Sequence, residues 1–401
     1  MKNFILSIIV LMFSFVNTYS QINSIGHRTI TFNDATRTGG FGSGGGAGRQ
    51  IQTEIYYPSS AATDGDTTMI ASGQYPIIIF GHGFVMGWSS YDNIWKDLVP
   101  QGYILCFPRT EGGASPSHAD FGKDMALIQT KMLALNTLST SPLFNTMTNK
   151  AAIMGHSMGG GAAFLACSGN VAPTTMVTFA AANTNPSSIN AALQVTIPVL
   201  VIAGQNDCVA PPSTNQDSMY VKSASTDKAE IKIKGAGHCG FANTNAACMF
   251  GQGTCSPQPT ISDVQQKTIS SIYYSYWLKY WLKNDCQSWN SFLDSVNTAT
   301  NIVKQITTTV NCSSSGFGKY ENLNELKISP NPTHGLLTIS LKNQEALIIE
   351  VYDVIGSKIR TFSLSNSNQT TIDVSELTNG IYFISVKNKI KNIKTIKFVK
   401  D

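Results

Sequence analysis

The chain has 401 residues, of which 42% are hydrophobic and 13% charged, with a formal net charge of +4. That length exceeds what one hydrophobic core usually holds, so more than one domain is expected. A small positive balance spread so thinly does not make a nucleic-acid-binding protein, and no basic cluster interleaved with aromatics stands in the first 312 residues.

At the start, Met1-Lys2-Asn3 gives way to an apolar run from Phe4 to Val16 and a polar exit, Asn17-Thr18-Tyr19-Ser20. A positive start, a short apolar stretch and a small exit residue predict a signal peptide over residues 1–20, leaving Gln21 as the first mature residue. A membrane span needs about 20 apolar residues. This run is shorter and no other is long enough, so no transmembrane segment is expected in the mature protein. The glycine run from Gly39 to Gly48 lacks a following Lys-Ser/Thr and precedes a strand, so it reads as a flexible loop rather than a phosphate cradle.

Apolar strands are then predicted at 51–57, 76–80, 103–107, 151–155, 176–181, 199–203 and 231–233, separated by helix-like stretches. The clearest helices are 120–135 and 262–282. Such alternation predicts an α/β fold over residues 21–312, with a mainly parallel central sheet covered by helices and a site at the carboxyl ends of the strands.

One pentapeptide stands where that rule asks for a site. Gly155-His156-Ser157-Met158-Gly159 follows the strand at 151–155 and opens into the small-residue segment Gly160-Gly161-Ala162-Ala163. This is a nucleophile elbow, in which a serine hydroxyl is exposed on a strained strand-to-helix turn and bulky flanking residues would collide. Asp207 sits just past the strand at 199–203. His238 lies between glycines just past the strand at 231–233. Each has a chemical role: Ser157 as nucleophile, His238 as the base that takes its proton, Asp207 as the carboxylate orienting the imidazole. The order Ser, Asp, His is that of α/β-hydrolases. Upstream, the strand at 76–80 runs into Gly81-His82-Gly83-Phe84, and the backbone N–H groups of Phe84 and Met158 are the expected oxyanion donors.

His82 and His156 are read as structural, because neither falls in the loop where the base belongs. His118 and Asp120 lack a third neighbour for a metal and read as a polar loop. No metal or cofactor is expected.

Export gives the eight cysteines meaning, since oxidising compartments permit disulfides. Eight cysteines allow 105 pairings, and sequence alone does not choose among them. If Asp207 and His238 share a hydrogen bond, Cys208 and Cys239 each follow a member of that pair and are a candidate bridge between the two loops. Cys248 with Cys255, closing a small local loop, and Cys286 with Cys312 are the further candidate pairs. Cys106 and Cys167 are read as buried thiols. After Cys312 the composition changes. Residues 313–326 read as a linker, and 327–401 alternate polar and apolar residues in short strands, which predicts a small all-β sandwich.

That last stretch resembles the carboxy-terminal sorting domain of type IX secretion. The matching residues are Ile328-Ser329-Pro330-Asn331-Pro332-Thr333 with Gly335, Val351 to Gly356, Ile372 to Phe383, and the closing Lys397-Phe398-Val399-Lys400. The resemblance implies export by that machinery and an extracellular or surface location. Residues 50–312 resemble α/β-hydrolases of the dienelactone hydrolase, chlorophyllase and polyester hydrolase group, through Gly81 to Phe84, Gly155 to Gly159, Asn206-Asp207 and Gly237-His238. This resemblance implies Ser157, Asp207 and His238 as the triad and Phe84 and Met158 as the oxyanion hole. Polyester hydrolases also carry a tryptophan after the strand that follows the elbow helix. This chain has Ala180-Ala181-Ala182-Asn183 there, so Trp88 or Tyr91 is expected to supply the aromatic contact instead.

The expectation is a secreted, monomeric serine hydrolase that cleaves carboxylic esters, polyesters such as poly(ethylene terephthalate) among them, through an acyl-enzyme. A peptidase of the same fold and a non-catalytic surface-binding protein are the alternatives. Against the first, too few residues precede Ser157 to hold the large N-terminal propeller of prolyl-oligopeptidase relatives; against the second, a binding module has no need of an aligned Ser, Asp and His.

Overall fold

The computed structural model describes residues 22, 24–66, 69–312, 327–340, 347–353, 357–364, 369–387 and 392–401. The expected signal peptide over 1–20 and the linker over 313–326 lie outside them. The described residues fall into two compact units, one up to Cys312 and one from Lys327.

The larger unit is built on one sheet with nine principal strands among the described residues: β1 (Ser24–Asp34), β2 (Arg49–Ser59), β3 (Tyr75–Gly81), β4 (Ile104–Pro108), β5 (Met147–His156), β6 (Thr175–Phe179), β7 (Val199–Gly204), β8 (Lys228–Ile233) and β9 (Ile302–Thr307). Their spatial order is β9-β8-β7-β6-β5-β3-β4-β2-β1. The six from β4 to β8 pair in parallel, while β1, β2 and β9 pair antiparallel at the two ends. The expected parallel core is thus present. β1 and β9 were not predicted, since Ser24–Asp34 and Ile302–Thr307 mix polar and apolar residues as half-covered edge strands do.

Alternation along the strands divides the core. Ile77, Ile79, Ile104 and Ile153 point to one face, beneath the helices His118–Thr137 and Met158–Cys167. Ile78, Phe80, Leu105 and Met154 point to the other, beneath Asp92–Leu98, Asp263–Lys283 and Cys286–Thr298. Both faces being covered explains why these strands read as nearly continuous apolar runs. The chain leaves β3 toward β4 on one side and returns to lay β5 on the other, so the topological switch point falls between β3 and β5. Ligands of open α/β sheets bind at that place. There Gly81 pairs with Gly155, which sets the Gly81–Phe84 turn beside the elbow.

The carboxy-terminal unit is all β. Lys327–Ser329, Leu336–Ser340 and Gln369–Asp373 form one antiparallel sheet; Lys358–Leu364, Leu347–Tyr352, Gly380–Lys387 and Asn392–Lys400 form another. Leu337, Ile339, Ile349, Val351, Ile384 and Phe398 make its core.

Candidate active site

Ser157 stands between β5 and the helix Met158–Cys167 with φ 55° and ψ −118°, a left-handed conformation that a non-glycine residue holds only under strain. Its surroundings enforce it. The Ser157 N–H donates to the Phe179 carbonyl at 2.9 Å, and its own carbonyl accepts from Ala182 N at 2.9 Å and Gly161 N at 3.0 Å. A Cβ on Gly155 would overlap the Gly159 carbonyl, and one on Gly159 would overlap the Gly81 carbonyl. Both glycines of the pentapeptide are therefore required by close approach of backbone to backbone.

The structure brings the three predicted side chains together. His238 Nε2 lies 2.8 Å from Ser157 Oγ, and His238 Nδ1 lies 2.6 Å from Asp207 Oδ2. A carboxylate only accepts, so Nδ1 carries the proton and Nε2 is left to accept from the serine hydroxyl. Asp207 Oδ1 accepts from the N–H groups of Val209 and Ala210, both at 2.8 Å. With both oxygens engaged and the side chain buried, the carboxylate is fixed in position and direction. Met158 directly follows Ser157, and Phe84 stands three residues after Gly81, which pairs with Gly155 at the start of the elbow.

Six cysteines are bonded, but the predicted pairing is corrected at two bridges. Cys208 bonds Cys255 and Cys239 bonds Cys248, in place of Cys208 with Cys239 and Cys248 with Cys255. The reason is the segment 246–255: its short helix Ala246–Gln252 carries Cys248, the partner of Cys239, and the turn after the helix carries Cys255, the partner of Cys208. Inside this helix-bearing segment, Gln252 Oε1 also accepts from the Cys239 N–H at 2.8 Å. Cys286 bonds Cys312 as expected, and Cys106 and Cys167 are buried free thiols.

Residues 18–313 match the family model described as PET hydrolase-like. The chain belongs to the PET hydrolase-like family. Residues 327–401 match the secretion system C-terminal sorting domain. That tail marks the protein for type IX secretion, so this PET hydrolase-like protein is exported, to the extracellular space or the cell surface. Family membership makes it a hydrolase acting on esters. No curated protein matches the chain. Among the described residues no helix is long and apolar enough to cross a membrane.

Within this PET hydrolase-like unit the two aromatic candidates part company. Tyr91 is fully buried and its hydroxyl lies 2.8 Å from Gly83 N and 2.9 Å from His156 Nδ1, so it faces the interior and cannot serve as a substrate contact. Trp88 is half-buried, packs beside Tyr56 and Trp95, and lines a cleft of about 480 Å³ with Phe41, Val85, Met86 and Arg109. His82 and His156 are buried, each hydrogen-bonded at both ring nitrogens to neighbouring protein groups. Asp120 pairs with Arg37 at 3.2 Å, and His118 Nδ1 accepts from Asn185 N at 3.2 Å.

Sequence reading missed two glutamines that bracket His238. Gln266, buried in the helix Asp263–Lys283, accepts from Gly237 N at 3.0 Å and donates to Gly237 O at 2.9 Å; Gln252 holds Cys239 from the other side. Nothing marks them in sequence, because a backbone contact from a distant helix carries no local pattern.

Proposed function

We propose that this protein is a serine esterase that cleaves carboxylic esters, polyesters such as poly(ethylene terephthalate) among them, through an acyl-enzyme on Ser157. The observation that carries the reading is the continuous series Ser157 Oγ, His238, Asp207, at 2.8 and 2.6 Å, set on a strained elbow at the switch point of the sheet.

In this reading Ser157 Oγ attacks the ester carbonyl while His238 Nε2 takes its proton. Asp207 stabilises the imidazolium without itself being protonated. The N–H groups of Phe84 and Met158 receive the developing oxyanion; losing one such donor typically costs about 3 to 4 kcal/mol of transition-state stabilisation. His238 then returns the proton to the leaving alcohol, and water, deprotonated by the same imidazole, releases the acid. The exposed side chains of Phe84, Val85 and Val209 on the flanking loops suit an apolar substrate. Trp88 in the adjoining cleft supplies the aromatic contact for a ring-bearing ester.

The domain layout follows: a signal peptide over 1–20, a catalytic unit over 21–312 that acts as a monomer, a linker over 313–326, and a sorting domain over 327–401 read by the secretion machinery. Hydrolysis of p-nitrophenyl esters of graded chain length and of polyester film, by the full-length protein beside Ser157→Ala, tests the function. Activity lost in the variant is expected; equal rates would refute it. Trp88→Ala is expected to raise KM for aromatic polyester fragments and leave short aliphatic esters unaffected.

A further inference from the structure

Tyr91 and His156 lie next to the candidate active site, yet the chemistry above uses neither. Their contacts form a continuous path through the interior. The Gly83 N–H donates to Tyr91 Oη at 2.8 Å, Tyr91 Oη lies 2.9 Å from His156 Nδ1, and His156 Nε2 lies 3.0 Å from the carbonyl oxygen of His238. Tyr91 and His156 are fully buried and His238 nearly so.

The two ends of the path fix its direction. A carbonyl oxygen only accepts, so His156 Nε2 bears the proton. In a neutral imidazole Nδ1 is then bare and must accept. The ring is neutral, because burial, with the neighbouring His238 imidazole, pushes its pKa down to about 3. Tyr91 therefore donates to Nδ1 while its oxygen accepts from Gly83. Met86 Sδ, 3.4 Å from the same hydroxyl, is a far weaker acceptor and does not compete.

We propose that Tyr91 and His156 are positioning residues that couple the oxyanion turn to the catalytic base. Gly83 immediately precedes Phe84, whose N–H awaits the oxyanion, and His156 reaches the main chain of His238 itself. The donor and the base sit on loops far apart in sequence, after β3 and after β8, and both must address one carbonyl group. Three hydrogen bonds through the elbow's own histidine hold those loops in register. The inference rests on the serine esterase reading but concerns residues that touch no substrate.

Two substitutions at one position cut the path at different bonds. His156→Gln keeps a donor toward His238 and loses the acceptor for Tyr91; His156→Asn keeps an acceptor toward Tyr91 and loses the donor toward His238. Tyr91→Phe removes the same bond as His156→Gln, together with the acceptor of the Gly83 N–H. In the full-length protein with p-nitrophenyl butyrate, Tyr91→Phe and His156→Gln should each lower kcat on the order of tenfold or more, and KM should move by less than about twofold. The double variant should be no slower than the slower single one, because both cut one coupling. His156→Asn should lower kcat through the other end. Losses that multiply in the double variant, or a lower melting temperature with unchanged kcat, would overturn the coupling.

A readout on the unmutated protein needs no variant to fold. Histidine ¹⁵N shifts at pH 7 should identify the His156 ring as the neutral Nε2–H tautomer, and an Nδ1–H tautomer would refute the path. Ser157→Ala separates the two claims. Ester turnover equal in that variant and the wild type defeats the esterase reading, whereas turnover lost in it but unchanged by Tyr91→Phe defeats only the coupling.

Discussion

Cys208, the neighbour of Asp207, is bonded to Cys255, 47 residues further along the chain. With Cys239 bonded to Cys248, the segment 246–255 is fastened to the loop of the imidazole through its helix Ala246–Gln252 and to the loop of the carboxylate through Cys255, just past that helix. Phe250 on this helix is 84% exposed, so the segment has little core of its own and depends on the two bridges.

By loop-closure entropy the longer bridge stabilises the fold by about 4 kcal/mol and the shorter by about 3 kcal/mol. Replacing Cys208 and Cys255 together by alanine should lower the melting temperature and ester turnover together, because Asp207 loses its anchor as the fold weakens. Thermal melts with parallel rate measurements decide it. Unchanged turnover in a destabilised variant would show that the bridge serves stability alone.

A second prediction concerns Asp124, whose side chain is fully buried. Arg49 Nη2 lies 2.8 Å from its Oδ2 and Arg37 Nη2 lies 2.8 Å from its Oδ1, while Glu111 takes Arg49 at 2.6 Å. The cluster ties the amino-terminal strands to the helix His118–Thr137. Asp124→Ala removes the buried carboxylate that two guanidinium groups share. Glu111 still pairs with Arg49, and Asp34 and Asp120 with Arg37, so the cost should stay below that of an uncompensated buried charge, about 3 to 5 kcal/mol. Urea titration should show that loss persisting at high salt, since buried pairs are little screened. A loss that salt abolishes would contradict the burial.

Glu230 on β8 gives a pH signature. Burial, with the Asp217 carboxyl close by, pushes its pKa from the ordinary 4.5 up to about 8. Between those values the folded chain keeps a proton that the unfolded chain has released. Stability from this group is thus intact below about pH 4.5, falls as pH rises through the window, and is fully lost above about 8. Glu230→Gln cannot ionise and keeps a polar group opposite Gln305. Its stability relative to the wild type should therefore rise between pH 5 and pH 9, by on the order of a few kcal/mol. A difference independent of pH would refute the assignment.

Much of the candidate site was legible because its parts are local. Ser157, Asp207 and His238 each stand directly after a strand that its apolar run reveals, and the glycines flanking Ser157 record a steric demand within five residues. The parts that were not legible depend on distant partners. The pairing of Cys208 and Cys239 looked direct until the helix Ala246–Gln252 intervened. Tyr91 looked like an aromatic substrate contact because sequence does not reveal which way a ring points. Gln252 and Gln266 support His238 through main-chain contacts alone, and Asp124 finds Arg49 only when the sheet closes. The edge strands β1 and β9 hid for a related reason, since their faces are covered unevenly and their patterns are mixed.

The central claim is that Ser157 carries the acyl group during turnover. Full-length protein mixed with a p-nitrophenyl ester, quenched in acid and digested, should yield the peptide containing Ser157 with the mass of the acyl group added, and Ser157→Ala should yield neither adduct nor turnover. Ester hydrolysis at the wild-type rate by Ser157→Ala, or an acyl group found only on another residue, would contradict the account.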